Sequence, residues 1–242
     1  YKFEYSEILS THIDIMSKFY VISGDRNAIG NVYDLNDKVR LSKLCITWTE
    51  KDSSKGKQYN DYVEPSYTVY DNREQFLESY SLMTYKEKRL HEVILDIPQK
   101  LKFDIDAKRV SDNPTERIFD GSEQEFETLM ESIIACIMYR FHWRYDIELP
   151  RKNIIMCDSS NEKKFSRHLI ITGYSVSGCK QAEQFASDVI DDVPEKYQWF
   201  IDRSVYKSKQ NFRLVGSHKD GSDRTKVIMP YIESGVTYEY HI

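Results

Sequence analysis

The sequence contains no long hydrophobic run and few cysteines. Its longest apolar stretch, Ile133 to Tyr139, falls well short of the roughly 18 consecutive apolar residues that indicate a membrane-spanning helix. The four cysteines are widely spaced, with no C-x-x-C pair and no paired histidine spacing, so neither a zinc site nor a disulfide framework is predicted. These absences favour a soluble, intracellular protein of a reducing compartment, with no membrane partner.

The sequence also lacks the motifs of several common enzyme classes. It has no G-x-x-x-x-G-K-[ST] loop, which excludes a P-loop ATPase. Nothing marks a nucleophile elbow, so a hydrolase with a Ser-His triad is not predicted. The chain carries 34 basic and 39 acidic residues, and this acidic total argues against a polybasic nucleic-acid binder while leaving a local basic strip possible.

The patterns that are present indicate a globular chain. Hydrophobic residues make up 40% and charged residues 30% of its 242 residues, which suits a folded domain with a real core. Residues 101–106 alternate between apolar and polar, as in a strand with one buried face. Ser122 and Glu125 form a capping box, and the apolar residues that follow at helical spacing predict a helix over residues 122–142.

A hairpin and a second helix follow in the sequence. Residues 154–157 and 167–174 are predicted to pair as strands, and Ser177 is predicted to cap a helix that Pro194 ends. Residues 212–215 then read as a further strand. The order strand, helix, strand, strand, helix, strand predicts an α+β fold with a ferredoxin- or RRM-like βαββαβ module.

The chain divides into two predicted regions. Residues 1–90 form a smaller N-terminal α/β lobe that contains a polar loop at residues 50–61, and residues 91–242 form the RRM-like module. The two regions together are expected to make one catalytic core. The first residue is Tyr1 rather than Met, so the chain is interpreted as a fragment of a longer protein.

Two acids lie on one face of the first strand of this module. Asp104 and Asp106 are two residues apart, so both carboxylates leave the same face of a strand whose other face is apolar. Such a pair of hard oxygen ligands suits Mg²⁺ or Mn²⁺, and we expect Lys102 to be the only basic residue near them on that face. A solvated edge strand with acidic outward residues is the alternative.

A third acid precedes a basic stretch. Asp202 follows an apolar run, and the next 17 residues carry five basic side chains and no acid. The stretch is either a phosphate-binding region or an ordinary basic surface. Its basic residues are Arg203, Lys207, Lys209, Arg213 and Lys219.

A second cationic group is found in the hairpin. Lys164, Ser166 and His168 alternate along a predicted strand and therefore project to one side. A cation, a hydroxyl and an imidazole on one face can hold phosphate, although a lone histidine on a strand is more often a core or surface residue.

These residues together resemble the archaeo-eukaryotic primase superfamily, which includes primase-polymerases. The likeness rests on three signatures in order: an apolar run that ends in D-x-D at residues 101–106, an S-x-H at Ser166 and His168, and an apolar residue followed by Asp202. The segment VYKSKQNFRLVGSHK, residues 205–219, is similar to the stretch after the third acid in primase-polymerases.

The resemblance implies template-directed nucleotidyl transfer by two divalent ions, Mg²⁺ or Mn²⁺. The metal ligands and catalytic residues implied are Asp104, Asp106 and Asp202. The residues implied to bind the nucleoside triphosphate are Lys164, Ser166, His168, Asn211, Arg213 and Lys219. Many relatives have Glu where this chain has Asp106, and the zinc-binding module frequent in the superfamily has no counterpart here, so primer initiation is not implied.

A narrower likeness concerns residues 65–93, which resemble the primase-helicases of large DNA viruses of the poxvirus type. It implies a superfamily 3 helicase domain elsewhere in the full-length protein. The protein would bind single-stranded DNA template, primer and nucleoside triphosphates. It would act in the host cytoplasm or at a viral replication site.

Two other functions stay open at this stage. A metal-dependent nuclease could use the same acids and histidine to activate water. Hydrolysis of a single backbone phosphate needs less positive charge than triphosphate binding does, so the basic residues favour the transferase. An inactive RRM-like nucleic-acid-binding module shares the strand order, but such modules stack bases on aromatic residues of the sheet. Asp104 and Asp106 would instead repel phosphate unless a metal intervenes.

Overall fold

A computed structural model describes residues 19–23, 66–70, 73–96, 98–218, 224–233 and 236–238. In chain order its strands and longer helices are β1 (Phe19–Ser23), β2 (Ser66–Tyr70), α1 (Arg73–Leu82), β3 (Leu90–Leu95), β4 (Lys102–Lys108), α2 (Glu123–Tyr145), β5 (Ile154–Asp158), β6 (Lys164–Ile171), α3 (Cys179–Asp192), α4 (Glu195–Gln198), β7 (Lys209–Arg213), β8 (Val227–Ile228), β9 (Tyr231–Glu233) and β10 (Val236–Tyr238). None of the helices in these ranges is long and apolar enough to cross a membrane.

The described residues divide into two compact units. The first unit contains residues 95–208 and the chain from residue 227 onward, and the second contains the part before residue 95 together with residues 209–226. The domain boundary predicted at residue 90 stays a prediction. No sequence pattern indicates that residues 209–226 belong to the second unit.

The first unit is built on a four-stranded sheet in the order β4-β6-β5-β8, with antiparallel neighbours throughout. Side chains on one face of its strands join those of α2 and α3 in a single hydrophobic core. Ile105, Ile133, Leu169 and Val189 represent the four elements in that core and are fully buried. Each such side chain contributes about 1.5–3 kcal/mol of burial free energy, so this core fixes β4 and β6 firmly.

The second unit contains a separate sheet in the order β2-β1-β3-β7. Strand β1 pairs in antiparallel fashion with both β2 and β3. Phe76 of α1 and Leu90 of β3 form the centre of a small apolar cluster, and the Tyr80 hydroxyl donates a hydrogen bond to the Val215 carbonyl at 2.7 Å. The cluster thus joins α1 to the segment that follows β7.

The α+β class is confirmed, as are the first long helix and the hairpin. Ser122 caps α2 through a complete capping box with Glu125, and β5 pairs with β6 in antiparallel register. The specific ferredoxin-like arrangement is not confirmed. The predicted strand at residues 212–215 is β7, which lies in the sheet of the second unit, and beside β4 there is instead a single bridge between Ile105 and Ile201.

The predicted cap of the second helix is wrong. Helix α3 begins at Cys179, and its N-cap position is Gly178. Ser177 uses both its amide and its hydroxyl to donate to the Gln181 side chain, while the Asp96 carboxylate accepts the Cys179 amide at 2.8 Å. An acid 83 residues away in sequence takes the place of a local cap, which sequence spacing cannot reveal. The predicted loop at residues 50–61 lies outside the described residues.

The capping box gives a test of the helix that covers the sheet. Ser122→Ala removes the hydroxyl that accepts the Glu125 amide at 3.2 Å and should lower the free energy of unfolding by about 1 kcal/mol. Ser132→Ala is the matched control, because Ser132 lies inside the same helix and its hydroxyl only bonds back to the Thr128 carbonyl. Urea unfolding of both variants should show destabilisation by the first alone, and equal effects would contradict the role of the cap.

Candidate active site

The two acids of the D-x-D motif lie on strand β4 of the first unit. Asp104 is 4% exposed, and the Asp106 side chain is 27% exposed. Between them, Ile105 points into the hydrophobic core with no exposed surface. Because successive strand residues face opposite sides, both carboxylates lie on the face away from helices α2 and α3, as predicted.

The third acid is brought beside this pair by the backbone. The Asp202 amide donates to the Asp104 carbonyl at 2.8 Å, and the Asp106 amide donates to the Phe200 carbonyl at 2.7 Å. These bonds flank the antiparallel bridge between Ile105 and Ile201, so Asp104 and Asp202 are directly opposite each other. The two isoleucines are buried in the core, and the acids therefore share the other face.

A short 3₁₀ helix, residues 203–206, begins at this third acid. The Asp202 carboxylate caps it by accepting the Ser204 amide at 2.8 Å. At its other end the buried Tyr206 hydroxyl donates to the Lys102 carbonyl of β4 at 2.8 Å. Burial raises the pKa of Tyr206 well above its usual value, and the negative charges of Asp104 and Asp202 raise it further. The hydroxyl therefore remains a donor that ties this helix to β4.

Strand β6 places the three predicted phosphate-binding residues next to the acids. The register pairs Asp104 with His168, Asp106 with Ser166, and Lys108 with Lys164. Cross-strand partners share a face and lie about 4.5–5.5 Å apart between Cβ atoms. All three side chains of the S-x-H region thus lie on the acidic face of the sheet.

These side chains contact the acids directly. The Lys164 ammonium lies 2.5 Å from Asp106 Oδ2, and the Ser166 hydroxyl donates to Asp106 Oδ1 at 2.8 Å. His168 Nε2 lies 3.4 Å from Asp104 Oδ1. The expectation that Lys102 is the only basic residue near the acids on that face is wrong, because Lys108 follows Asp106 on the same face of β4. The adjacent strand also supplies Lys164.

The acids fit a hard divalent cation in chemistry and in their shared face. Three carboxylates from neighbouring backbone segments are the oxygen ligands that Mg²⁺ and Mn²⁺ prefer. Their side chains, however, are directed at protein partners, and within the described part of the chain no three His, Cys, Asp or Glu side chains form a ready metal cluster. Metal ligation by Asp104, Asp106 and Asp202 stays a prediction.

Sequence reasoning missed two side chains of this site. Ser159 is buried, and its hydroxyl donates to the Ser166 hydroxyl at 3.1 Å, which completes a chain of hydroxyls that ends at Asp106. The hairpin register, in which Cys157 is opposite His168, would have placed Ser159 beside Ser166. Tyr206 had no comparable signal, because its contact with β4 depends on tertiary structure.

The remaining predicted nucleotide-binding residues are outside the first unit or outside the described residues. Asn211 and Arg213 lie on β7 of the second unit. Within that unit the Arg213 guanidinium donates to the Arg224 carbonyl at 3.1 Å, and the buried Lys226 ammonium donates to the Arg213 carbonyl at 2.7 Å. Lys219 is not among the described residues. The nucleotide-binding roles of these three residues stay predictions.

Comparison with known proteins finds relatives of this chain among viral proteins. No family model matches it, but it is similar to African swine fever virus proteins named "Putative helicase/primase complex protein". It is 34% identical over 200 residues to the protein of a Kenyan pig isolate and 36% identical over 209 residues to that of the Vero-adapted Badajoz strain. Each match covers 80% of this chain but only 18% or 19% of the relative, so the chain spans about a fifth of their length.

The Tyr206 contact predicts a measurable contribution to the stability of the site. Tyr206→Phe keeps the edge-on packing against Phe103, whose ring centroid lies 6.3 Å away, but removes the bond to the Lys102 carbonyl. The free energy of unfolding should fall by about 1–2 kcal/mol, since a buried acceptor loses its donor. Tyr139→Phe, at an exposed position of α2, is the control. Chemical denaturation that shows no difference between the two would contradict the anchoring role of Tyr206.

Proposed function

From the homology of this chain to helicase/primase complex proteins of a large DNA virus, we propose that it is the catalytic core of a DNA primase or primase-polymerase. The reaction is template-directed nucleotidyl transfer on single-stranded DNA. One observation carries the proposal: the pairing of β4 with β6 and with residues 200–202 collects the three acids and the S-x-H group on one sheet face.

Asp104, Asp106 and Asp202 would hold the divalent ions of this reaction. A bound Mg²⁺ or Mn²⁺ supplies Lewis-acid activation and neutralises charge on the phosphates. The protein contributes position, because β4 and the Ile201 bridge hold all three carboxylates on a rigid, well-packed backbone. Such fixed placement is what electrostatic catalysis requires of its ligands.

The cationic and hydroxyl side chains of β6 would bind the triphosphate. Lys164 acts as a mobile point charge on a long stem, while Ser166 and His168 are buried on the strand and act as fixed hydrogen-bonding groups. Nucleotide binding by Asn211, Arg213 and Lys219 is proposed from the resemblance to primases alone. Arg213 suits this role because a guanidinium binds phosphate oxygens in a bidentate manner.

The strand order supports a ferredoxin-like description of this core. The βαββα sequence from β4 to α3 pairs its strands in the antiparallel order expected of such a module, and the Ile201 bridge occupies the position of a fourth strand. The relatives' name includes a helicase, and we infer that a helicase domain or subunit acts with this core. Template, primer and nucleoside triphosphates would be its ligands in an intracellular replication complex.

The acids provide the test of this function. The double variant Asp104→Asn with Asp106→Asn should reduce incorporation of labelled nucleotides on single-stranded template with Mn²⁺ by about a hundredfold or more, since even residues that only support metal ligands cost 10–100-fold. Asp191→Asn, an exposed acid of α3, should retain the wild-type rate. Reactions run with and without a primer separate initiation from extension.

Two outcomes would contradict the proposal. Undiminished synthesis by the double variant would show that these acids do not hold the catalytic metals. Shortening of the template without any incorporation by the unaltered protein would instead identify a metal-dependent nuclease.

A further inference from the structure

The Asp106 carboxylate has both of its oxygens engaged by side chains of β6. Oδ2 lies 2.5 Å from the Lys164 ammonium, and Oδ1 accepts the Ser166 hydroxyl at 2.8 Å. A cation that binds Asp106 must therefore displace at least one of these donors or share an oxygen with it. Of the two donors, the ammonium carries the full positive charge that a metal would replace.

Of these two donors, Lys164 is the one that can leave. Its side chain is 25% exposed, and a salt bridge with this much solvent access costs little to break. Ser166 is buried, its hydroxyl accepts from Ser159 at 3.1 Å, and its amide donates to the Ser160 hydroxyl at 2.9 Å. Ser166 is thus fixed on both sides.

The backbone of Lys164 remains in place while its side chain moves. Its amide and carbonyl both bond to Asn161 across the β5–β6 turn, at 3.2 Å and 2.9 Å. Four rotatable side-chain bonds beyond this anchored backbone allow the ammonium to move several ångströms. Exchange of partner therefore requires only a rotamer change and no rearrangement of the sheet.

We propose that Lys164 exchanges between Asp106 and the polyphosphate of the incoming nucleotide, and so couples metal binding to nucleotide binding. This inference rests on the function proposed above and adds a mechanism of regulation to the same site. Lys164 bound to Asp106 competes with the metal for the carboxylate. Lys164 bound to phosphate leaves that carboxylate to the metal, so each ligand strengthens the binding of the other by the same factor.

Because Lys164 competes with the metal for Asp106, removing its charge should strengthen metal binding rather than weaken it. Lys164→Met keeps the length of the side chain but removes its charge, and it should tighten Mn²⁺ binding to the protein alone by about fivefold. The same variant should weaken binding of inorganic tripolyphosphate in metal-depleted buffer. Electron paramagnetic resonance of free Mn²⁺ and isothermal titration calorimetry measure the two affinities on the full 242-residue chain.

Lys108→Met is the matched control. Lys108 is opposite Lys164 in the β4–β6 register but pairs with Glu116 at 2.6 Å, so its loss removes one positive charge from the same end of the sheet without freeing Asp106. The control should change Mn²⁺ affinity by less than about twofold, because exposed charges are screened by solvent. The difference between the two variants isolates the direct competition for Asp106 from the general effect of charge.

Three results would overturn the exchange: Mn²⁺ affinity of Lys164→Met equal to that of the control, weaker Mn²⁺ binding, or unchanged tripolyphosphate binding. Lys164→Gln, measured in parallel with circular dichroism of both variants, provides the same comparison if the methionine variant does not fold.

Failure of the proposed function can be distinguished from failure of the exchange, because nucleotide incorporation is measured separately. Incorporation by the unaltered protein together with an unchanged Mn²⁺ affinity of Lys164→Met rejects the exchange alone. Tighter Mn²⁺ binding by Lys164→Met with no incorporation by the unaltered protein rejects the function alone.

Discussion

The register of strand β4 against its two neighbours is the constraint on which the candidate site depends. On one side it sets Asp104 and Asp106 against His168 and Ser166, and on the other the Ile201 bridge sets Asp202 against Asp104. A slip of one residue would turn both acids of β4 into the hydrophobic core. The buried isoleucine between them prevents this slip, because exposing it would lose burial free energy while the acids lost their solvation.

The same register determines how the charges of the site are balanced. Like charges held on one strand face raise the energy of the folded protein unless cations compensate them. The Lys164 ammonium provides that compensation at Asp106, where the Ser166 hydroxyl also donates a hydrogen bond, and His168 lies against Asp104. The side chains that would bind phosphate in a nucleotide site are therefore the same side chains that stabilise the acids of β4. Binding of a ligand by these side chains would therefore also change how well they stabilise the sheet.

Much of the first unit followed from local sequence rules. The alternation around Asp104 identified the acidic face, and the Ser122–Glu125 pair identified the start of α2 because capping and strand alternation are local effects. The pairing of Lys164 with Asp106 and the anchor at Tyr206 depend on which strands become neighbours. The placement of β7 in the other sheet could not be predicted for the same reason, because the sequence of a five-residue strand does not show which strand it pairs with. Sequence therefore located the candidate residues but not their contacts.

Asp104, Asp106 and Asp202 are proposed to hold a divalent ion together, beside the triphosphate site. The most direct measurement is an anomalous-difference map from crystals grown with Mn²⁺ and a nucleoside triphosphate. A peak bounded by the three carboxylates, with the Lys164 ammonium moved from Asp106 to a phosphate oxygen, is the predicted result. Manganese bound elsewhere, with Lys164 still on Asp106, would contradict the account.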